Sequence, residues 1–453
     1  MIARFPPTAA AGERGGVATG WFTDAALLVA AKLALGFWVL HQGFSHISDD
    51  DYARTVIAEQ FARAPRLDPS GTSWLPLPFW LEGTAMILLG RSLSVARGVA
   101  LAVGAASVAA PYLAMRSARV RRGAAIIATA AALGLPWNAW LGVATVPEGW
   151  AGALTAAGAI AMATQRAQPW AGAALLGAAL CRYEAWPACA IMAALCSWQA
   201  LDAARARRSV WHHARCALLA TAGPISWMAW NEYAHGSALH FLSRVSAFRR
   251  AIGAADVSLL DKLLGYPRAL AEETPEVLLL GGIGIAGLVA WPTLRDRWSW
   301  AMAAVVATDI FLVAGDLGDG APTHHAARAL AGTWWILVGM GVDAIFTSSD
   351  RAAVHGPVRA AIAITAAALA GTWCAFLPAR WSDSPGRGRS ERRDAQALRG
   401  LELRERGVSN AEITPCSFEH FALIAAWGEP ERAVVLSRTG SAPTEDCPRV
   451  EER

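Results

Sequence analysis

The sequence has little charge for its length. Of its 453 residues only 17% are charged, whereas 55% are hydrophobic and the mean hydropathy is positive. Soluble domains carry about 25% charged residues, so this composition excludes an ordinary water-soluble protein. Lysine occurs only at Lys32 and Lys262, and arginine supplies the other cations. The net charge of +4 is therefore interpreted by its location along the chain, not as a sign of nucleic-acid binding.

The sequence also lacks the Cys/His spacings that are typical of metal sites. Five of the seven cysteines lie in or beside apolar runs, which indicates small packed hydrophobic side chains. Only Cys416 and Cys447 lie in the charged C-terminal tail. If that tail is outside the cytoplasm, a disulfide between them and two free thiols are both compatible with the sequence.

Apolar runs of membrane-spanning length recur from Phe22 to Pro378 and stop where dense charge begins at Ala379. We therefore predict an all-α polytopic membrane domain over residues 1–378 and a small soluble α+β domain over residues 379–453. The first run, from Phe22 to Leu40, has no cleavage pattern after it and is interpreted as a retained anchor.

Arginine at the ends of the apolar runs predicts the topology by the positive-inside rule. The run from Trp74 to Leu89 contains Pro76 and Pro78, which leaves about eleven helical residues, too few to cross a bilayer. It is therefore expected to lie at the interface, within a first outer loop of residues 41–97. The same loop is expected to contain an amphipathic surface helix from Tyr52 to Ala64, capped by Asp51 and with Arg54 on its polar face. A second large outer loop covers residues 231–275. The whole pattern predicts about eleven transmembrane helices in a bacterial plasma (inner) membrane, with the N-terminus cytoplasmic and the C-terminal domain extracytoplasmic.

Under this topology the unusual polar clusters all fall on the outer face of the membrane. Acids and cations that converge at one face suit an anionic head group whose lipid tail stays in the bilayer. These clusters are the acidic triplet Asp49, Asp50 and Asp51, then Glu148, then Arg182 with Glu184, and a late loop with His324 and Arg328.

In the order and sidedness of these motifs the chain resembles the GT-C superfamily of membrane glycosyltransferases, which includes protein O-mannosyltransferases and lipid A aminoarabinose transferases. That superfamily has an acidic motif in the first outer loop, followed by surface helices and a Pro-rich segment like residues 75–78. An acid opening the fourth span, a basic residue at the next outer turn and an arginine before a late span are matched by Glu148, Arg182 and Arg328. The similarity covers the layout of about residues 20 to 380.

The resemblance implies a hexosyl- or pentosyltransferase that moves a sugar from a polyprenyl-phosphate donor to an acceptor hydroxyl at the extracytoplasmic face. Its partners would be the lipid-linked donor, membrane lipid, and an acceptor that is a glycan, a lipid or a protein. The triplet departs from the Asp-Glu pair of the mannosyltransferase branch and reads as Asp-x-Asp, so either Asp49 or Asp51 is expected as the general base.

The same chemistry assigns roles to the other polar residues. Arg182, Arg328 and His324 would stabilise the leaving phosphate, and Trp74 would contact the sugar. Members of the superfamily differ in their need for a divalent cation, so a metal ion held by Asp49 and Asp51 stays open. No other cofactor is expected.

Two other functions fit the same sequence pattern. A transporter or flippase of a lipid-linked glycan would use the same charges to guide an anionic head group, and a membrane scaffold would bind a partner through the C-terminal tail. Structural roles are also open for the single motifs. The triplet can cap a surface helix, and Arg182 with Glu184 can stabilise a helical hairpin.

Overall fold

The structure, a computed structural model, describes residues 14–164, 169–251, 258–318, 326–351, 391–415, 417–436 and 449–452. Four predictions fall outside these ranges: the last predicted span, His324, and the two cysteines of the tail, Cys416 and Cys447. The described chain is mainly helical. Its first helices are α1 (Arg14–His41), α2 (Asp49–Arg63), α3 (Leu77–Leu89), α4 (Leu93–Ser107), α5 (Ala109–Ser117), α6 (Arg122–Leu133), α7 (Pro136–Leu141) and α8 (Glu148–Ala161).

The second half of the membrane domain continues with helices of mixed length. They are α9 (Pro169–Ala179), α10 (Trp186–Arg205), α11 (Trp211–His235), α12 (His240–Ala251), α13 (Leu259–Glu273), α14 (Pro275–Ala290), α15 (Pro292–Leu317), α16 (Ala326–Ala329) and α17 (Ala331–Arg351). The predicted hairpin around Arg182 is formed by α9 and α10, which are joined through a 3₁₀ turn at Tyr183–Ala185.

Three helical stretches of the described chain are long and apolar enough to cross a bilayer: Gly20–His41, Leu93–Ser117 and Pro292–Leu317. A fourth is possible only if Leu259–Glu273 and Pro275–Ala290, bent by 105°, count as one span. Shorter apolar helices account for other predicted spans. For example, the span predicted from Gly123 to Leu141 is broken because Leu135, which precedes Pro136, is extended. The structure thus supports a membrane protein, and the number of eleven spans stays a prediction.

The run from Trp74 to Leu89 forms the short helix α3, as its prolines predict. The helix is 13 residues long and ends at Gly90, whose φ of 93° is in the region that favours glycine. At about 1.5 Å per residue it is roughly 20 Å long, shorter than a bilayer core. Gly83 lets α3 approach α2 closely, since a Cβ there would lie 2.3 Å from the ring of Phe61. That both helices lie at the membrane interface stays a prediction.

Glu82 lies on the face of α3 that is buried, and its Oε2 atom has no hydrogen-bond partner among the described residues. Burial raises the pKa of Glu82 to about 8. Because the folded state binds this proton more tightly than the unfolded state, the resulting stabilisation is full below the ordinary pKa and is lost as the pH rises through about 8.

We expect the variant Glu82→Gln to lose this pH dependence. Between about pH 5 and pH 8 the wild-type protein should lose stability at up to about 1.4 kcal/mol per pH unit from this group alone. The melting temperature in detergent should therefore depend less on pH over that range for Glu82→Gln than for wild type. The matched control is Glu272→Gln, which changes an exposed acid. The prediction is contradicted if the melting temperatures of Glu82→Gln and wild type change with pH to the same extent.

Small residues bring the site-bearing helices α8 and α17 together. A Cβ on Gly152 of α8 would lie 2.6 Å from the Cβ of Ala331 at the start of α17. Such close backbone approach is typical of membrane helix pairs with small residues at the interface. The contact places Glu148, at the start of α8, next to Arg328 in the preceding short helix α16.

The described part of the tail, residues 391–452 with their gaps, forms a small α+β unit that we call the C-terminal module. It contains α18 (Glu391–Glu405), β1 (Ala411–Thr414), α19 (His420–Trp427), β2 (Ala433–Val435) and β3 (Arg449–Glu452). The strand order is β2-β1-β3, with β1 parallel to β2 and antiparallel to β3. This agrees with the small α+β domain predicted from the sequence.

The C-terminal module packs on the outer face of α2. Tyr52 and Val56 of α2 share an apolar cluster with Leu423 and Trp427 of α19. Ion pairs add to this contact at the rim: Arg91 binds Glu429 at 2.6 Å and Glu431 at 2.8 Å, and Arg63 also binds Glu431. The module therefore covers the surface helix that begins with the acidic triplet.

Candidate functional site

The acidic triplet forms the first turn of α2, with Ser48 at the N-cap position. The sequence led us to expect a helix from Tyr52 capped by Asp51, but the helix begins three residues earlier. Carboxylates in a first helical turn interact favourably with the helix dipole and with free backbone N–H groups. This explains why three adjacent acids are tolerated there, and their side chains leave the turn in three different directions.

Asp51 points into the protein and is 3% exposed. Its Oδ2 accepts hydrogen bonds from the backbone N–H groups of Ile47 (3.0 Å) and Ser48 (3.2 Å), and its Oδ1 accepts from that of Thr145 (3.0 Å). Burial raises the pKa of Asp51, and these backbone hydrogen bonds oppose that effect. Asp51 thereby ties the start of α2 to the loop that leads into Glu148.

Asp49 points toward the C-terminal module. Its two oxygens accept from Nε and Nη2 of Arg393 at 2.5 and 2.6 Å, a bidentate pair between residues 344 positions apart. The hydrogen bonds that Arg393 donates to Asp49 raise the pKa of Arg393. The module thus supplies a guanidinium to the triplet, which nothing in the sequence pattern indicated.

Asp50 is the most exposed of the three acids, with 33% of its side chain accessible. Arg328 approaches its Oδ2 through Nη1 and Nη2, both at 3.4 Å. These contacts are long for charge-assisted hydrogen bonds. Asp50 therefore keeps acceptor capacity that Asp49 and Asp51 have already used.

Beneath Asp50 lies a buried cluster of two acids and two arginines. Glu148 Oε1 accepts from Arg328 Nη2 at 2.5 Å and lies 3.3 Å from Arg182 Nη1, while Arg182 also binds Glu184 at 2.5 and 3.1 Å. All four side chains are nearly inaccessible. Glu148 thus bridges Arg182 and Arg328, which are 146 residues apart along the chain.

A cavity of about 770 Å³ opens above this cluster. Ligand pockets commonly measure about 300–1,000 Å³, so the cavity can hold a sugar with its phosphate. Its walls come from the start of α2, the segment before α3, the α9–α10 turn, α12 and the C-terminal module. The predicted site residues that line it are Asp49, Asp50, Trp74, Arg182 and Arg328, and the module adds Arg393, Phe418 and Phe421.

Besides the residues of the module, sequence reasoning missed Arg54 of this cavity. It lies one helical turn after Asp50 on the same face of α2 and lines the cavity, although it is only 2% exposed. Its guanidinium carbon lies 4.5 Å from the ring centroid of Trp74. The i, i+4 spacing from Asp50 was a signal for it, but the amphipathic pattern instead suggested a residue on the solvent face.

Most predicted site residues are therefore brought together around one cavity and the buried cluster below it. The exceptions are Asp51, which is bonded to backbone N–H groups instead, and His324, which lies outside the described residues. Within the described ranges, no group of three or more His, Cys, Asp and Glu side chains could hold a metal ion. The oxygens of Asp49 and Asp51 proposed as cation ligands are engaged by Arg393 and by backbone N–H groups.

No family model and no curated protein matches the sequence. Among solved structures, the chain is similar to the crystal structure of the Archaeoglobus fulgidus oligosaccharyltransferase in complex with Zn and sulfate. The TM-score is 0.52 at 13% identity, over 92% of this chain and 62% of the other. The oligosaccharyltransferase AglB of the same organism, in complex with an inhibitory peptide and a dolichol-phosphate, matches with a TM-score of 0.48 at 13% identity, over 91% and 64%.

The chain thus spans less than two thirds of the length of these structures. The first match shows a shared fold. The GT-C superfamily expected from the sequence stays a prediction. The fold together with the apolar helices defines the class: a membrane protein with the fold of that oligosaccharyltransferase. Its branch, whether mannosyltransferase-like or aminoarabinose transferase-like, stays a prediction.

Proposed function

We propose that this protein is an integral-membrane glycosyltransferase that moves a sugar from a polyprenyl-phosphate donor to an acceptor hydroxyl on the extracytoplasmic side of a bacterial plasma membrane. The observation that carries the proposal is a cavity lined by an accessible carboxylate, that of Asp50, and by several arginines. Such a cavity matches the needs of the reaction, because a base must accept the proton of the hydroxyl while cations stabilise the departing phosphate.

We propose Asp50 as the general base, in place of the Asp49 or Asp51 favoured by the sequence. The support comes from the bonds of the three acids. Asp51 accepts three backbone hydrogen bonds and is buried, and Asp49 is held by Arg393. Asp50 faces the cavity, and its contacts with the described residues are long ones to Arg328. A base needs a free acceptor site within hydrogen-bond reach of the acceptor hydroxyl.

In this mechanism the acceptor hydroxyl loses its proton to Asp50 as its oxygen attacks the anomeric carbon. The bond from that carbon to the phosphate oxygen breaks, and the charge that develops on the phosphate faces the arginine side of the cavity. Trp74 and the two phenylalanines of the module offer apolar faces to the sugar ring and the first part of the lipid. The acceptor class, glycan, lipid or protein, is not part of the proposal.

The test compares the lipid-linked sugars of a deletion strain and its parent, and then uses purified protein in vesicles. We expect mass spectrometry to show that a polyprenyl-phosphate sugar accumulates in the deletion strain. We also expect purified protein to convert it to polyprenyl phosphate with gain of one sugar on an acceptor. Movement of the labelled lipid across the vesicle bilayer without a change in its mass would instead establish the flippase and refute the transferase.

A further inference from the structure

Arg54 differs from the other buried arginines of the cavity in having no acid partner. Arg182, Arg249 and Arg328 each bind at least one carboxylate, and so does the half-buried Arg393. Arg54, in contrast, forms no ion pair with a described residue, and its Nε and Nη1 have no hydrogen-bond partner there. Because a cavity-lining cation without a partner attracts an anion, this difference singles out Arg54.

The surroundings of Arg54 hold the guanidinium in place without satisfying it. The ring of Trp74 lies at 4.5 Å and that of Phe79 at 5.5 Å, so aromatic faces support the cation. Cation–π contacts of this kind contribute about 0.5–2 kcal/mol but provide no hydrogen-bond acceptor. Burial lowers the pKa of Arg54, the nearby charges of Arg182 and Arg328 lower it further, and Glu148 and Asp50 oppose this.

A buried cation without an acceptor costs several kcal/mol unless a counter-ion is supplied. The buried acid below Arg54 is not available as its counter-ion, since Glu148 already bridges Arg182 and Arg328 at 3.3 and 2.5 Å. The acceptor must then come from a ligand in the cavity. A planar guanidinium matches the oxygens of a phosphate group in a bidentate manner.

We propose that Arg54, held against Trp74, is the residue that binds the phosphate ester of the lipid-linked donor, while Arg182 and Arg328 hold the buried cluster beneath it. This inference rests on the proposed function, whose donor is a polyprenyl-phosphate sugar. It reassigns phosphate binding from the two arginines that sequence reasoning favoured to one that it overlooked.

The experiment measures binding of farnesyl phosphate to the full-length protein in detergent, with farnesol as the uncharged probe of the same chain length. We expect wild type to bind farnesyl phosphate more tightly than farnesol. We expect Arg54→Gln to weaken binding of farnesyl phosphate by at least about tenfold, while the affinity for farnesol does not change. Arg54→Lys keeps the positive charge but not the planar, bidentate guanidinium. Its affinity for farnesyl phosphate should therefore lie between those of wild type and Arg54→Gln.

The matched control is Arg63→Gln on the same helix, which is 59% exposed and lies outside the cavity. It should bind both probes as wild type does. Equal affinity of Arg54→Gln and wild type for farnesyl phosphate, or equal affinity of wild type for the two probes, would overturn the inference.

Thermal unfolding separates a binding role from a structural one. In the ligand-free protein Arg54 has no acid partner among the described residues, so Arg54→Gln should unfold at a temperature no lower than wild type. Farnesyl phosphate should raise the unfolding temperature of wild type but not that of Arg54→Gln. If Arg54→Gln unfolds well below Arg63→Gln and loses farnesol binding too, Arg54 is structural and the inference fails.

The two proposals can fail separately. If the wild-type protein transfers sugar while Arg54→Gln binds farnesyl phosphate normally, only the assignment of Arg54 is wrong. If binding depends on Arg54 but no sugar is transferred from any polyprenyl-phosphate donor, the phosphate site stands and the proposed function fails.

Discussion

Replacing Asp50 with Asn should lower the rate of sugar transfer by about 10²–10⁴-fold, the usual contribution of a positioned general base. The amide has nearly the same shape as the carboxylate, so the contact to Arg328 weakens without leaving a cavity. Donor binding should change little, because Asp50 is proposed to act on the acceptor hydroxyl. The measurement is the initial rate of transfer at saturating donor, together with donor affinity.

Two other aspartates make this test specific. Asp202→Asn changes an exposed acid on α10 that pairs only with Arg205 and should transfer at the wild-type rate. Asp51→Asn places an amide donor against the N–H groups of Ile47, Ser48 and Thr145, so it should lower the melting temperature. If Asp50→Asn transfers sugar as fast as Asp202→Asn, Asp50 is not the base.

The largest loss of stability should follow from Glu148→Gln. Glu148 is the acid shared by Arg182 and Arg328, and all three side chains are buried. Removing one charge from such a cluster leaves uncompensated cations in a medium of low polarity, which costs about 3–5 kcal/mol. Arg328 should be affected most, because its remaining acid, Asp50, is 3.4 Å away, whereas Arg182 keeps Glu184 at 2.5 Å.

Thermal or denaturant unfolding in detergent gives the measurement, with Glu431→Gln as the matched control. Glu431 also accepts from two arginines, Arg63 and Arg91, but at the surface, where ion pairs contribute about 0–1 kcal/mol. A loss for Glu148→Gln as small as for Glu431→Gln would show that the buried cluster does not stabilise the fold.

Local signals in the sequence predicted much of this arrangement. Pro76, Pro78 and Gly90 determine a short third helix because proline fixes the entry and glycine the exit. The run of arginines from Arg116 to Arg122 and the isolated Arg182 marked turns between apolar helices. Within the described residues, Asp49, Asp50, Arg182 and Arg328 line one cavity, since each lies at or next to the end of a helix.

Contacts between distant residues could not be predicted in the same way. The bonds of Asp51 to Thr145 and of Asp49 to Arg393 join positions 94 and 344 residues apart, and no periodicity encodes such partners. The roles within the triplet depend on them, so the sequence could not distinguish the exposed acid from the buried one. Arg54 was missed for a related reason: its burial comes from Trp74 and Phe79, which approach from outside its own helix.

The salt bridge between Asp49 and Arg393 joins an early and a late part of the chain, so it forms late in synthesis. A ribosome makes Asp49 344 residues before Arg393, so most of the membrane helices are synthesised while that wall of the cavity is still missing. The cavity closes only after the C-terminal module has folded against α2. A chain cut short before the module would keep its apolar helices and the buried Glu148 cluster but would lack the wall of the cavity formed by Arg393, Phe418 and Phe421.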